Sequence, residues 1–216
     1  MAKVAIVQFD DRPDAQLWPL DRLMARNALY AQRHGYHYEF TRAPERDVPS
    51  YWNKIFLAEK FLGAGFDTVA WLDSDAVIHD LDRPIESLAP GPEGFVFSGD
   101  LPIWKTVSPI NAGVFFAQGD FGRALLAEWA ALYPAELWKK TGGKWNFDAH
   151  AWAGPAYEQG RFADLLFPKY SGHPAFRQLS WKVLQSPYPV SEAFSLHFPN
   201  NLRLNALVYL RQIEEA

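Results

Sequence analysis

The feature of this sequence best suited to chemistry is a pair of acids two residues apart. Asp73 and Asp75 flank Ser74 directly after the apolar run Thr68 to Leu72. In extended backbone, residues i and i+2 point the same way, so both carboxylates can meet one ion. Hard divalent cations such as Mn²⁺ or Mg²⁺ take oxygen ligands, and a diphosphate supplies more of them. The same pattern also serves as a solvated turn, but the buried-strand context of Val69-Ala70-Trp71-Leu72 favours the ligand reading. Near the other end, His197 lies in Phe194-Ser195-Leu196-His197-Phe198. A lone His on an apolar strand is often a core residue, yet imidazole is a good Mn²⁺ ligand. Lys54 follows Pro49 on a helical pattern and is a candidate diphosphate clamp or a solvated helix lysine. Asp148 and His150 follow Gly142-Gly143 and are candidates for a reaction centre, with helix capping the plain alternative for Asp148.

These residues need elements that bring them together. Val4 to Phe9 reads as a buried strand that ends in a polar turn. Leu20 to His34 has helical spacing, with Gly35 as its C-cap, and Tyr36 to Phe40 alternates as a strand. A helix from Pro49-Ser50 to Gly63 and a strand from Thr68 to Leu72 follow. This strand–helix alternation predicts a mostly parallel sheet with helices on its faces. Both acids then stand at a carboxyl edge, where open α/β sheets bind ligands. Further on, Phe95 to Ser98 and Ala112 to Ala117 read as strands, and Arg123 to Leu132 as a helix. Lys139 to Trp145 reads as a mobile loop, with Trp145 placed to stack on a sugar ring; His150 to Gln159 is ambiguous. Phe194 to Phe198 is a late strand that can return His197 to the acids, and Asn201 to the end is an amphipathic helix.

Bulk properties remove several function classes. Net charge is −4 and no Lys/Arg run exceeds two residues, so the basic stripe of a nucleic-acid binder is missing. With no Cys, disulfide scaffolds, thiolate metal sites and Cys nucleophiles are excluded. Aromatic residues make up 16%, with nine Trp, enough to serve both a core and sugar stacking. At 216 residues, a single domain is expected. The strand starting at Val4 leaves no room for a signal peptide, and no apolar stretch approaches the ~20 residues of a spanning helix. The expected location is cytoplasmic, with peripheral contact at a membrane.

An ordered set of motifs resembles glycosyltransferase family 34, which includes galactosyl-, xylosyl- and α-mannosyltransferases. The set is Tyr30-Ala31-Gln32-Arg33-His34-Gly35-Tyr36, Trp52-Asn53-Lys54, Trp71-Leu72-Asp73-Ser74-Asp75-Ala76, Asn111-Ala112-Gly113-Val114-Phe115, Asp148, and Ser195-Leu196-His197-Phe198. It runs from about Val4 to Phe198. The sequence departs from the family where Asp148-Ala149 stands for an acid–amide pair and where Pro199-Asn200 follows the final His-Phe.

The resemblance implies a GT-A fold, with a Rossmann-like nucleotide half (about residues 1–100) joined to an acceptor half (about 101–216). It implies Mn²⁺, or Mg²⁺, on Asp73, Asp75 and His197, a UDP- or GDP-sugar donor, an oligosaccharide or glycolipid acceptor, and retention at the anomeric carbon. On this reading Gln8, Phe9 and Asp10 line the base and ribose pocket, and Lys54 faces phosphate or sugar. Ser74 joins the donor-binding set, Asp100 and Asn111 orient sugar hydroxyls, and Asp148 supports an oxocarbenium-like sugar. Two rivals differ in class. A haloacid-dehalogenase-type phosphatase would use Asp73-Ser74-Asp75-Ala76-Val77 with Asp73 as nucleophile, but a strand–helix–strand–helix precedes that motif here. A non-catalytic domain would hold a sugar or nucleotide sugar without turning it over.

Overall fold

The structure, a computed structural model, describes residues 2–89, 91–102, 108–147 and 153–214. Its centre is a six-stranded sheet ordered β2-β1-β3-β6-β5-β9. These strands are β1 (Val4–Phe9), β2 (His37–Thr41), β3 (Thr68–Leu72), β5 (Gly94–Ser98), β6 (Asn111–Gln118) and β9 (Phe176–Leu179). β1 runs parallel to β2 and β3, and β5 runs parallel to β9. β6 opposes both β3 and β5, so the expected mostly parallel sheet carries one reversed strand. Every residue of β1, β3, β5 and β6 is buried, the mark of strands covered on both faces.

Strand periodicity then divides the core. Ala5, Val7, Phe9, Val69, Trp71, Phe95 and Phe115 face one layer, packed with Trp52, Phe56 and Trp129 from α2 (Ser50–Gly63) and α3 (Gly119–Ala131). Val4, Ile6, Ala70, Leu72, Val96, Val114 and Phe116 face the other, with Tyr30 and Ala31 of α1 (Leu20–His34). α1 buries Leu20, Leu23, Met24, Asn27, Tyr30 and Ala31 as one stripe and stops at Gly35, whose φ of 70° is the left-handed cap glycine accepts readily.

Past β3 the chain turns rather than staying extended, for Ala76 N–H bonds the Asp73 carbonyl at 2.9 Å. The acids therefore converge through a turn, not through the period of an extended strand. The turn leads into β4 (Ala76–Ile78), which pairs antiparallel with the late strand β10 (Ser195–His197). β10 thus returns to β4, not to the central sheet. In that register His197 stands opposite Ala76, and Phe198 N–H bonds the Asp75 carbonyl at 3.0 Å. Leu20 and Leu23 pack with Phe198 and with Ala206, Tyr209 and Leu210 of α7 (Arg203–Glu214), which holds β10 in place.

The segment Lys139 to Trp145, expected as an irregular loop, is a hairpin of β7 (Trp138–Thr141) and β8 (Lys144–Phe147). Gly142 and Gly143, at φ 57° and 77°, form the two-residue turn, since paired positive φ matches the strand twist. Trp145 has Lys140 Nζ 5.3 Å from its ring. The ambiguous stretch ends in α4 (Glu158–Arg161), and a π-helical stretch, Phe162–Leu166, links this to α5 (Phe167–Tyr170). α6 (Trp181–Leu184) follows β9. Among the described residues, no helix is long and apolar enough to cross a membrane.

Candidate active site

The carboxyl edge of the sheet gathers most of the chemistry. Asp73 leaves β3, Asp75 ends the turn, and His197 arrives on β10. One ligand atom from each lies within 4.8 Å of the other two. Ligands on opposite sides of an ion with bonds of about 2.1 Å stand roughly 4.2 Å apart, so small side-chain adjustments close the set. Two carboxylates and an imidazole suit Mn²⁺ or Mg²⁺. His197 Nε2 is 3.1 Å from Asp75 Oδ1. Burial works to raise the Asp75 pKa, but the hydrogen bond and charge of His197 and the charge of Arg12 outweigh it and lower it.

Gly113, on β6, makes room for this arrangement. A Cβ there would sit 2.2 Å from His197 Cε1, so no other residue fits under the imidazole without moving it. Gly113 also accepts from Asp73 N–H at 2.7 Å, which ties β6 to the acid-bearing turn.

A buried charge cluster lies beside the acids. Asp73 keeps the side parity of Trp71, toward α2, and Trp71 Nε1 donates to Asp73 Oδ1 at 2.8 Å. Lys54 Nζ, almost fully buried, lies 2.8 Å from Asp73 Oδ1 and 3.3 Å from Glu158 Oε1. It also donates to the Ala112 carbonyl at 3.2 Å. Burial opposes the Lys54 charge, yet Asp73 and Glu158 outweigh it and raise its pKa. Asp73 holds the shorter contact, and for Glu158 burial wins, raising the carboxyl pKa despite Lys54. Glu158 Oε2 is buried with no hydrogen-bond partner among the described residues. Two residues on, Gly160 packs against the Gly154 carbonyl, where a Cβ would come within 2.1 Å.

On the β1 side, Gln8 is fully buried. Its Oε1 accepts from Tyr38 and Asn27, and its Nε2 donates to the Asp73 carbonyl at 3.0 Å. Phe9 belongs to the α2-side core. Asp10 is buried and bound by Arg12 Nε at 2.9 Å and by Ser74 Oγ at 2.6 Å. Burial would raise the Asp10 pKa, and the bonds from Arg12 and Ser74 lower it instead. Gln8 and Asp10 thus tie β1 to the acid-bearing turn, at the Asp73 carbonyl and at Ser74. The member of this group with solvent access is Arg12, about a quarter exposed, whose Nη2 donates to Ser74 Oγ at 2.9 Å.

On the other side, Asn111 Nδ2 donates to Asp100 Oδ1 at 2.7 Å, and Asn111 Oδ1 accepts from Gly113 N–H at 2.9 Å. Gln159 accepts from Ala112 N–H at 3.1 Å and reaches Asp100 Oδ2 at 3.5 Å. Burial raises the Asp100 pKa. Asp100 also lines an open cleft of about 390 Å³ with Gln178 and Trp181. Asp148 and His150 lie outside the described residues.

The structure therefore brings Asp73, Asp75, His197, Lys54, Ser74 and Asp10 to one edge, with Asp100 and Asn111 beside them. Sequence reasoning missed Arg12, Glu158, Gln159 and Gln185. Glu158-Gln159 is an acid–amide pair, which was the available signal. No local pattern marks Arg12 or Gln185.

No protein-family model matches this sequence, and no curated protein matches it. Solved structures do match in shape. A glycosyltransferase involved in the glycosylation of the major capsid of PBCV-1 superposes with a TM-score of 0.68 at 16% identity, covering 95% of this chain and 98% of that one. The glycosyltransferase GlyE of Streptococcus pneumoniae TIGR4 superposes with a TM-score of 0.53 at 12% identity, covering 93% of this chain and 55% of that one, so this chain spans about half of GlyE. The chain has the fold of these glycosyltransferases, the GT-A type.

Proposed function

We propose that this chain is a metal-dependent glycosyltransferase that moves a sugar from a nucleoside-diphosphate donor to a glycan or glycolipid. The observation that carries the reading is the convergence of Asp73, Asp75 and His197 at the carboxyl edge of a glycosyltransferase fold. In this reading the three residues hold Mn²⁺ or Mg²⁺, which supplies Lewis-acid stabilisation of the departing diphosphate. The chain acts as one domain: the β1–β3 side takes the nucleotide, and the side beyond β6 takes the acceptor.

The chain's own groups then have definite tasks. Arg12, the exposed cation of the β1 turn, exchanges part of its hold on Asp10 for donor phosphate oxygens. Lys54 stays charged between Asp73 and Glu158 and orients Asp73 toward the metal. Asp100 and Asn111 hold sugar hydroxyls. Asp148 supports the positive charge that develops on the sugar. Retention follows the resemblance to family 34.

The test is a donor screen. UDP- and GDP-sugars are incubated with the protein and Mn²⁺, and nucleotide release is measured. We expect one donor to be cleaved slowly without acceptor, activity lost in EDTA, and activity lost in Asp75→Ala with circular dichroism unchanged. Release of phosphate from simple phosphoesters without nucleotide-sugar cleavage would replace this reading with the phosphatase. Tight donor binding without cleavage or transfer would replace it with a binding domain.

A further inference from the structure

The amide of Gln185 sits behind His197, and its hydrogen bonds decide what the imidazole can offer. Gln185 is fully buried. Its Nε2 donates to two backbone carbonyls, Asn111 and Val114, each at 3.2 Å. A carbonyl can only accept, so both amide N–H groups are committed and the amide cannot be turned around. Its Oε1 then faces His197 Nδ1 at 2.7 Å. Since Oε1 is also an acceptor, Nδ1 must carry a proton. While the ring is an imidazolium, the form whose hydrogen bond and charge lower the Asp75 pKa, Nε2 donates to Asp75 Oδ1 at 3.1 Å; in the neutral ring the Nδ1 proton leaves the lone pair on Nε2 facing that oxygen. Two acceptors this close repel unless a positive centre stands between them.

We infer that Gln185 is a positioning residue that keeps His197 in the Nδ1–H form and so presents Nε2 to a divalent cation shared with Asp75. This inference rests on the metal site proposed above. Asp75 by itself favours the opposite form, because its carboxylate attracts an Nε2–H proton, and that proton would occupy the ligand position. Gln185 competes by making an unprotonated Nδ1 costly, and the two carbonyls anchoring it belong to β6. The strand that passes beneath the imidazole at Gly113 therefore also sets its proton, through a side chain from a distant part of the sequence.

The test reads the proton and the cation separately. Imidazole nitrogens are observed by ¹⁵N NMR in the metal-free protein at about pH 8, above the ordinary imidazole range. The His197 signals are assigned by their loss in His197→Gln. Wild type is expected to show a protonated Nδ1 together with an unprotonated Nε2. Gln185→Met, similar in volume but without an acceptor, is expected to shift the ring to Nε2–H. Its Mn²⁺ affinity, measured by electron paramagnetic resonance on folded protein, should fall by about 10- to 100-fold. An unprotonated Nδ1 in wild type overturns the inference, and so does unchanged Mn²⁺ affinity in a folded Gln185→Met. If Gln185→Met does not fold, the wild-type spectrum alone decides. Wild type that binds no Mn²⁺ overturns the metal site itself, whereas the ¹⁵N result judges Gln185 independently of it.

Discussion

Glu158 is a carboxyl group with one oxygen near Lys54 and the other buried without a partner among the described residues. Burial raises its pKa above the ordinary glutamate value. An acid with a raised folded pKa holds its proton more tightly folded than unfolded. As pH climbs past about 4.3, the unfolded chain ionises first, and the folded state loses stability until the raised value is passed. Glutamine does not titrate. The stability of Glu158→Gln relative to wild type should therefore rise with pH from the glutamate range upward, whatever constant offset comes from the lost Lys54 contact. Urea denaturation across that range measures it. A difference that stays flat with pH would show Glu158 ionising as an ordinary acid.

At the scale of elements, the site depends on how closely two strands approach. β6 passes under β10 with Gly113 against the imidazole. A methyl group there must displace the ring or the strand, and overpacking of this kind costs about 1–3 kcal/mol. Gly113→Ala should lower the melting temperature and weaken Mn²⁺ binding at least tenfold, on the order of 1.4 kcal/mol in affinity. Retained wild-type affinity would mean that the imidazole is not confined by β6. The β4–β10 ladder matters for the same reason, because it sets His197 beside the acids across a long sequence separation. Its partner layer, α1 with α7, is what keeps that short ladder closed.

For the molecule as a whole, charge sets the expected response to ligand. Asp10, Asp73, Asp75 and Glu158 crowd one edge against Arg12 and Lys54. In the proposed reading a divalent cation would relieve that excess, and a donor diphosphate would meet the cation and Arg12. Ligand that binds only the folded state at a hundredfold excess over its Kd adds about 2.7 kcal/mol. For a chain of this length that is roughly 5–10 °C in melting temperature. UDP with Mn²⁺, or GDP if the donor base is guanine, should produce a shift of this size, and neither nucleotide should do so in EDTA. An equal shift without metal would separate nucleotide binding from Asp73, Asp75 and His197.

Much of the frame was written in local pattern. Apolar runs marked β1 and β3, the stripe from Leu20 to Ala31 marked α1, and Gly35 marked its end, because burial period and left-handed caps act over a few residues. The Asp73-Ser74-Asp75 motif after a buried strand pointed to the candidate site, and the ordered motifs joined it to His197, whose ligand atom the fold brings near both acids. Other features had no local cause. The reversal of β6 depends on which neighbours a strand meets, which periodicity does not encode. The acids meet through a turn closed by Ala76, where the sequence suggested extended geometry. The glycine pair in Lys139 to Trp145 looked like a loop until pairing of its flanks made it a hairpin turn. Gln185 had no local signal and Glu158 only its pairing with Gln159, for a related reason. A buried acid and a buried amide gain their character from the groups that surround them, here Lys54, Asp73, His197 and two carbonyls of β6. Those groups are far apart along the chain, and only the folded sheet edge brings them within hydrogen-bond reach.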